Sequence, residues 1–185
     1  MFQIVAFRPY KDIPLVTALP SNPNNGDEIV LTDSLSAGTY HWHFRYVAAR
    51  SSNKWVFVGG TPLVGETATS ETRTNTAYGD LSGGATGPSI TLPVAGDYVI
   101  THGLDGENGS AAISFMSYDI GASGAVDADG VRMDIGNAGS GGSFMRSKKK
   151  TGLTAVALTS KYKVSTGTMT ALNRFIQALP IAVGG

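Results

Sequence analysis

The chain has 185 residues, with 14 Lys and Arg against 14 Asp and Glu, so its formal net charge is zero and only 15% of it is charged. That balance argues against binding nucleic acid through a broad basic face, and the absence of Cys excludes a disulfide scaffold, a thiolate zinc site and a thiol nucleophile. A hydrophobic content of 42% is too high for a disordered chain, no run approaches the ~18 apolar residues of a bilayer span, and Met1 to Val5 lack the basic, then long apolar pattern of a signal peptide.

Strand signals run from end to end. Thr, Val, Ile, Tyr and Phe recur in short runs between Gly, Pro, Asn, Asp and Ser. Residues 1–18 read as an extended arm in which Phe2, Ile4 and Ala6 alternate with Gln3, Val5 and Phe7. Pro9 and Pro14 keep it from being a central strand, because proline lacks the N–H that a ladder needs. Such an arm either adds to a sheet of its own fold or docks on a neighbouring chain. Residues 19–64 form a small antiparallel unit. Glu28 to Thr32 is one strand, Tyr40 to Tyr46 a second, and Lys54 to Val58 the returning third. In the second, Tyr40, Trp42, Phe44 and Tyr46 share one face, with His41, His43 and Arg45 on the other. A unit of this size cannot bury much core by itself, so its aromatic face is expected to lean on another surface, from this chain or a neighbour.

Residues 65–88 are rich in Thr, Ser and Gly and read as a linker, broken by an edge strand near Tyr78-Gly79-Asp80-Leu81. Further strands are expected at Ser89 to Pro93, Gly96 to Gly103, Ser110 to Ile120, Val131 to Ile135, Ser143 to Arg146, Leu153 to Val164 and Leu172 to Val183, with turns such as Asp105-Gly106 and Asn108-Gly109 between them. That spacing suits a β-sandwich or jelly roll. The run Gly167 to Ala178 holds Thr168 and Thr170, poor helix formers, and its alternation has a period of two. Phe175, Leu179 and Ile181 alternate with Arg174, Ile176 and Ala178, leaving both faces of the last strand largely apolar. Either the strand is central and well covered, or one face meets a neighbouring subunit.

Two stretches carry a family resemblance. Gly26-Asp27-Glu28-Ile29-Val30, Trp42-His43-Phe44-Arg45-Tyr46 and Lys54-Trp55-Val56-Phe57-Val58-Gly59-Gly60-Thr61-Pro62-Leu63 resemble a small module of tailed-bacteriophage virion proteins. Tyr78 to Leu81, Gly87 to Leu92 and Ala95 to Ile100, closing with Lys161 to Gly167 and Arg174 to Val183, are similar to jelly-roll domains of those proteins. The resemblance implies an all-β fold: a small β module followed by a TNF/C1q-like jelly-roll sandwich over 65–185, assembled as a homotrimer. It implies a virion structural protein, made in the host cytoplasm, of the minor tail, tail-fibre, head-fibre or capsid-decoration type. Its partners would be copies of itself and other virion proteins, with host-surface polysaccharide a further candidate, and neither nucleic acid nor membrane insertion. Particle docking would fall to Phe2, Ile4, Phe7, Trp42 and Phe44, and the trimer contact to Phe175, Leu179 and Ile181. Lys148, Lys149 and Lys150, read as an exposed hairpin tip, would form a binding loop for acidic groups. The alternative is a carbohydrate-binding or cell-surface module that stacks Trp42, Tyr46 or Trp55 on sugar rings.

No residue set points to catalysis, a cofactor or a metal. His41 and His43 share a strand face and could share a metal with Asp33, but Arg45 on that face would repel a cation. His102 and Asp105 could join a serine, yet no Gly-x-Ser-x-Gly elbow exists. Asp127-Ala128-Asp129-Gly130 and Asp105-Gly106-Glu107-Asn108-Gly109 resemble fragments of calcium loops, without the helix-flanked loop or its closing Glu; turn chemistry accounts for both. Gly136 to Gly142 lacks the endings of a nucleotide-binding loop and reads as a flexible tip.

Overall fold

A computed structural model describes residues 12–84, 86–134 and 136–184. Phe2, Ile4 and Phe7 lie outside the described residues. The strands are β1 (Leu15–Val16), β2 (Glu28–Leu31), β3 (Trp42–Tyr46), β4 (Trp55–Gly60), β5 (Leu63–Thr67), β6 (Glu71–Arg73), β7 (Ser89–Thr91), β8 (Gly96–Asn108), β9 (Ile113–Ile120), β10 (Val131–Asp134), β11 (Gly141–Leu153), β12 (Ala157–Val164) and β13 (Met169–Val183). Helical backbone among the described residues is limited to single 3-10 turns at Ser82–Gly84 and Asp127–Asp129.

Two sheets carry these strands. The larger runs β1-β2-β3-β4-β13-β8-β11, with β5 and β6 also paired to β13. The smaller runs β10-β9-β12-β7. From β6 onward the pairing is β6-β13-β8-β11 facing β7-β12-β9-β10. Successive strands cross from one sheet to the other, except for the β9–β10 neighbours, and this is a jelly roll. The strands bury alternate residues against the partner sheet. Tyr98, Ile100, His102 and Leu104 of β8 face Met116 and Tyr118 of β9 and Leu158 and Tyr162 of β12 across the interior.

The small unit is continuous with the sandwich. β2, β3 and β4 are antiparallel, and β4 pairs directly with the end of β13, Val56 opposite Ala182 and Trp55 opposite Val183. Its aromatic face therefore packs on its own chain: Tyr40, Trp42, Phe44 and Trp55 join Tyr98, Ile100, Ile176 and Val183 in one cluster. Trp42 touches Phe44 and Tyr98 at ring separations of 6.2 Å, and its indole N–H donates to the Thr61 carbonyl at 2.7 Å. The end of the arm adds β1 to the same sheet, parallel to β2.

Three local expectations are corrected. The stretch read as a linker forms β5 and β6, whereas Tyr78 to Leu81 makes only one bridge, Gly79 to Tyr162. Gly65 lets β5 pass close to β7, since a Cβ there would come within 2.5 Å of the Ser89 carbonyl. Asp105-Gly106 is not a turn, because β8 runs on to Asn108 and pairs Asp105 with Ser143. Lys148, Lys149 and Lys150 are not a hairpin tip either; they lie within β11, opposite Ile100, Val99 and Tyr98. Pro180 sits where the β13–β8 register shifts, as a residue without an N–H requires.

Candidate interaction surface on the large sheet

The two faces of the large sheet are set by β13. Ile176 and Ala178 point inward and are fully buried. Phe175, Leu179 and Ile181 point outward and are half-buried. Cross-strand register fixes their neighbours on the outer face. Phe175 lies beside Gly103 and, beyond it, Met145 of β11; Leu179 lies beside Val99, then Lys149. On the other flank Val64 of β5 sits next to Gln177, and Val58 projects from the outward side of β4. The Phe175 ring rests over Gly103, whose missing side chain leaves the room, since a Cβ there would meet the ring at 2.9 Å. Met145 is 66% exposed, Val58 54% and Val64 49%. The sequence-chosen trio Phe175, Leu179 and Ile181 thus stands among further apolar side chains that sequence reasoning missed. The signal for Val58 and Val64 was their alternation with Phe57 and Leu63, which face the core.

The face is framed by polar groups. Thr101 and Ser147 share a hydrogen bond of 2.7 Å across β8 and β11. At one end Asp105 accepts from Ser143 and from Asn173, and these two bonds hold its carboxyl below the usual range. Glu66 and Glu107 lie at the same end, opposite Phe175 and Thr170. Lys149 is a cation of this face, and exposed Arg45 of β3 lies beside Val56 on the same side of the sheet. Among the described residues the outer edge of β11 has no strand neighbour, and lysines along such an edge discourage uncontrolled pairing with other chains.

The remaining candidates fall elsewhere. Trp42 and Phe44 are fully buried, so their side chains cannot dock to a particle from the folded surface; an aromatic strand face that completes the chain's own core has no second use. Trp42 and Trp55 are equally unavailable to stack on sugars. Lys148 and Lys150 turn inward from β11 and both bind the Asp129 carboxylate, Lys148 at 2.7 Å. Burial pushes the Asp129 carboxyl up, but the hydrogen bonds from Lys148 and Lys150 prevail and hold it below the usual value. Of the three, Lys149 alone faces outward. Asp127 is paired to Lys163, so each carboxylate of the Asp127–Asp129 turn already has a lysine. His43 bonds Glu28 at 3.2 Å, and Asp33 accepts from the Thr39 side chain and backbone. No three His, Asp or Glu side chains gather at metal-binding range among the described residues. His102 and Asp105 lie on opposite faces of β8: His102 points into the sandwich, bonded to the Asp129 carbonyl, and Asp105 points out.

Inside the sandwich, Arg174 is a buried cation that sequence reasoning left unassigned. It is 1% exposed, pairs with Glu71 of β6, donates to the Thr69 carbonyl at 2.9 Å and lies over the Tyr162 ring at 5.8 Å. The pair holds β6 against β13.

No family profile matches the sequence, and no curated protein matches it. Among solved structures the chain is similar to Eiger TNF from S. frugiperda, at 10% identity and a TM-score of 0.46, over 67% of this chain and 95% of that one. It is also similar to a chain of infectious bursal disease virus, Gx strain, at 15% identity and a TM-score of 0.40, over 88% of this chain and 47% of that one. The Gt strain gives 10% identity and a TM-score of 0.36, over 83% and 44%.

Proposed function

We propose that the chain is a non-enzymatic bacteriophage virion structural protein. It works as a homotrimer whose copies pack through the outer face of the large sheet, and its N-terminal part attaches it to the particle. The placement is minor tail or tail fibre, or head decoration or head fibre. The observation that supports self-association is the outer face itself: exposed Met145, Val64 and Val58 stand with half-buried Phe175, Leu179 and Val99 in one apolar area, whereas exposed Leu15, Leu35 and Val126 lie on other parts of the chain. The phage assignment rests on the sequence resemblance of the small module and of the strands that open and close the jelly roll. Zero net charge suits close packing of copies, since it leaves little long-range repulsion to overcome.

With Trp42 and Phe44 committed to the core, attachment falls to the residues before β2. Removing residues 1–18 should abolish incorporation into particles while leaving the sandwich folded; incorporation at the normal level would remove the attachment role. The sugar-stacking alternative has lost its two tryptophans, and no observation favours it.

A further inference from the structure

Of the three histidines, His102 alone is inside the sandwich, at 1% exposure. Its ring meets Tyr118 edge-on, with centroids 5.1 Å apart. Nε2 lies 2.9 Å from the Asp129 carbonyl oxygen. A carbonyl can only accept, so Nε2 carries the hydrogen and Nδ1 carries the lone pair. Nδ1 is buried and has no hydrogen-bond partner among the described residues. A proton arriving there would create a cation with nothing to bond to.

The surroundings make that cation less welcome still. From β11, Arg146 sits directly opposite His102 and donates to the Gly130 carbonyl at 2.6 Å. Lys148 and Lys150, from the same strand, close on Asp129. From β9 comes the Tyr118 phenol, which burial keeps neutral, and from β13 the apolar Ile176. Four cations, Arg146, Lys148, Lys150 and Lys163 of β12, and two carboxylates, Asp127 and Asp129, therefore meet at this turn before His102 takes a proton. The neutral imidazole, Arg146 and the two lysines clasp this turn from the β8–β11 side.

We propose that the segment 126–130 is an acid-released latch keyed by His102: protonation of Nδ1 opens the clasp between this segment and the β8–β11 edge while the rest of the sandwich stays closed. Burial, and then Arg146, hold the imidazole below its ordinary value, against the opposing pull of the Asp129 carbonyl. The open form, with its ring in water, binds the proton better. The clasp is thus at full strength above the free-imidazole value of about 6.5 and weakens as pH falls through that value toward the closed-form midpoint. Asp129 does not confound this range, because its carboxyl is held low by the two lysines. The latch acts whatever the protein attaches to.

Hydrogen exchange on the full chain, corrected for the intrinsic pH dependence of exchange, tests it. Between about pH 7.5 and about pH 5, amides of 121–134 and 143–150 should speed up by about tenfold or more, while those of β5 and the β13 centre keep their protection. His102→Gln can still donate to the Asp129 carbonyl but cannot titrate, and it should abolish the pH dependence. Unchanged protection in the wild type, or the same acid opening in His102→Gln, would overturn the latch. Should His102→Gln fail to fold, ring-proton NMR of the wild type decides instead. His102 should titrate below the free-imidazole value of about 6.5, and a midpoint at or above that value would contradict the proposal.

Discussion

The two faces of β13 are made of similar residues and have different fates. Ile176 and Ala178 are sealed by the chain's own second sheet, with Tyr98, Leu158 and the aromatic strand β3 in the same cluster. Phe175, Leu179 and Ile181, one step away on the same strand, have no second layer over them among the described residues and remain half-buried. Pleat alternation puts consecutive residues on opposite faces, so a strand apolar at every position must be covered twice or leave apolar surface in water. The fold accounts for one cover. The proposed neighbouring copies account for the other.

Substitutions on the two faces should separate cleanly. The largest effect is expected inside: Trp42→Ala should cost about 3–5 kcal/mol, the range for emptying a large aromatic site. Denaturant unfolding checks this, and a loss below about 1 kcal/mol would mean that the small unit does not share the sandwich core. Glu71→Ala comes next. It leaves the Arg174 cation buried without its carboxylate, and breaking such a pair costs about 3–5 kcal/mol. Glu71→Leu with Arg174→Met should recover most of that loss, and a double variant no better than the single would show that the charges are not coupled. On the outer face, Leu179→Asp should leave the circular dichroism of the protomer unchanged and abolish association; a trimer that survives it would remove Leu179 from the contact. The smallest effect belongs to Lys149→Ala, within about 0.5 kcal/mol in the protomer. Lys150→Ala should cost more, since it leaves the buried Asp129 carboxylate to Lys148 alone, and equal costs would dissolve the distinction between inward and outward lysines.

Much of this architecture could be read from period and punctuation. The unbroken alternation from Tyr40 to Tyr46 placed four aromatics on one face, and the structure buries that face. The two-sided apolar pattern of Phe175 to Ile181 named the strand that now centres the large sheet. Reading failed where side-chain chemistry mimics another element. Thr, Ser and Glu around β5 and β6 look like a linker, yet backbone pairing to β13 needs no apolar run. Lys148 to Lys150 look like a solvated tip because no sequence pattern shows that Asp129 waits across the fold. Trp42 and Phe44 look like docking groups only while their cover is unknown. That cover comes from residues such as Tyr98 and Ile176, more than 50 positions away in the sequence. Long-range pairing decides these cases, and local propensity carries no record of it.

The central claim is that the outer face of the large sheet is covered by further copies of the chain. Native mass spectrometry of the full-length protein tests it most directly. The account predicts a dominant species of three times the protomer mass that collapses to single protomers on Leu179→Asp. A wild-type protein that remains a single protomer at every concentration would contradict it.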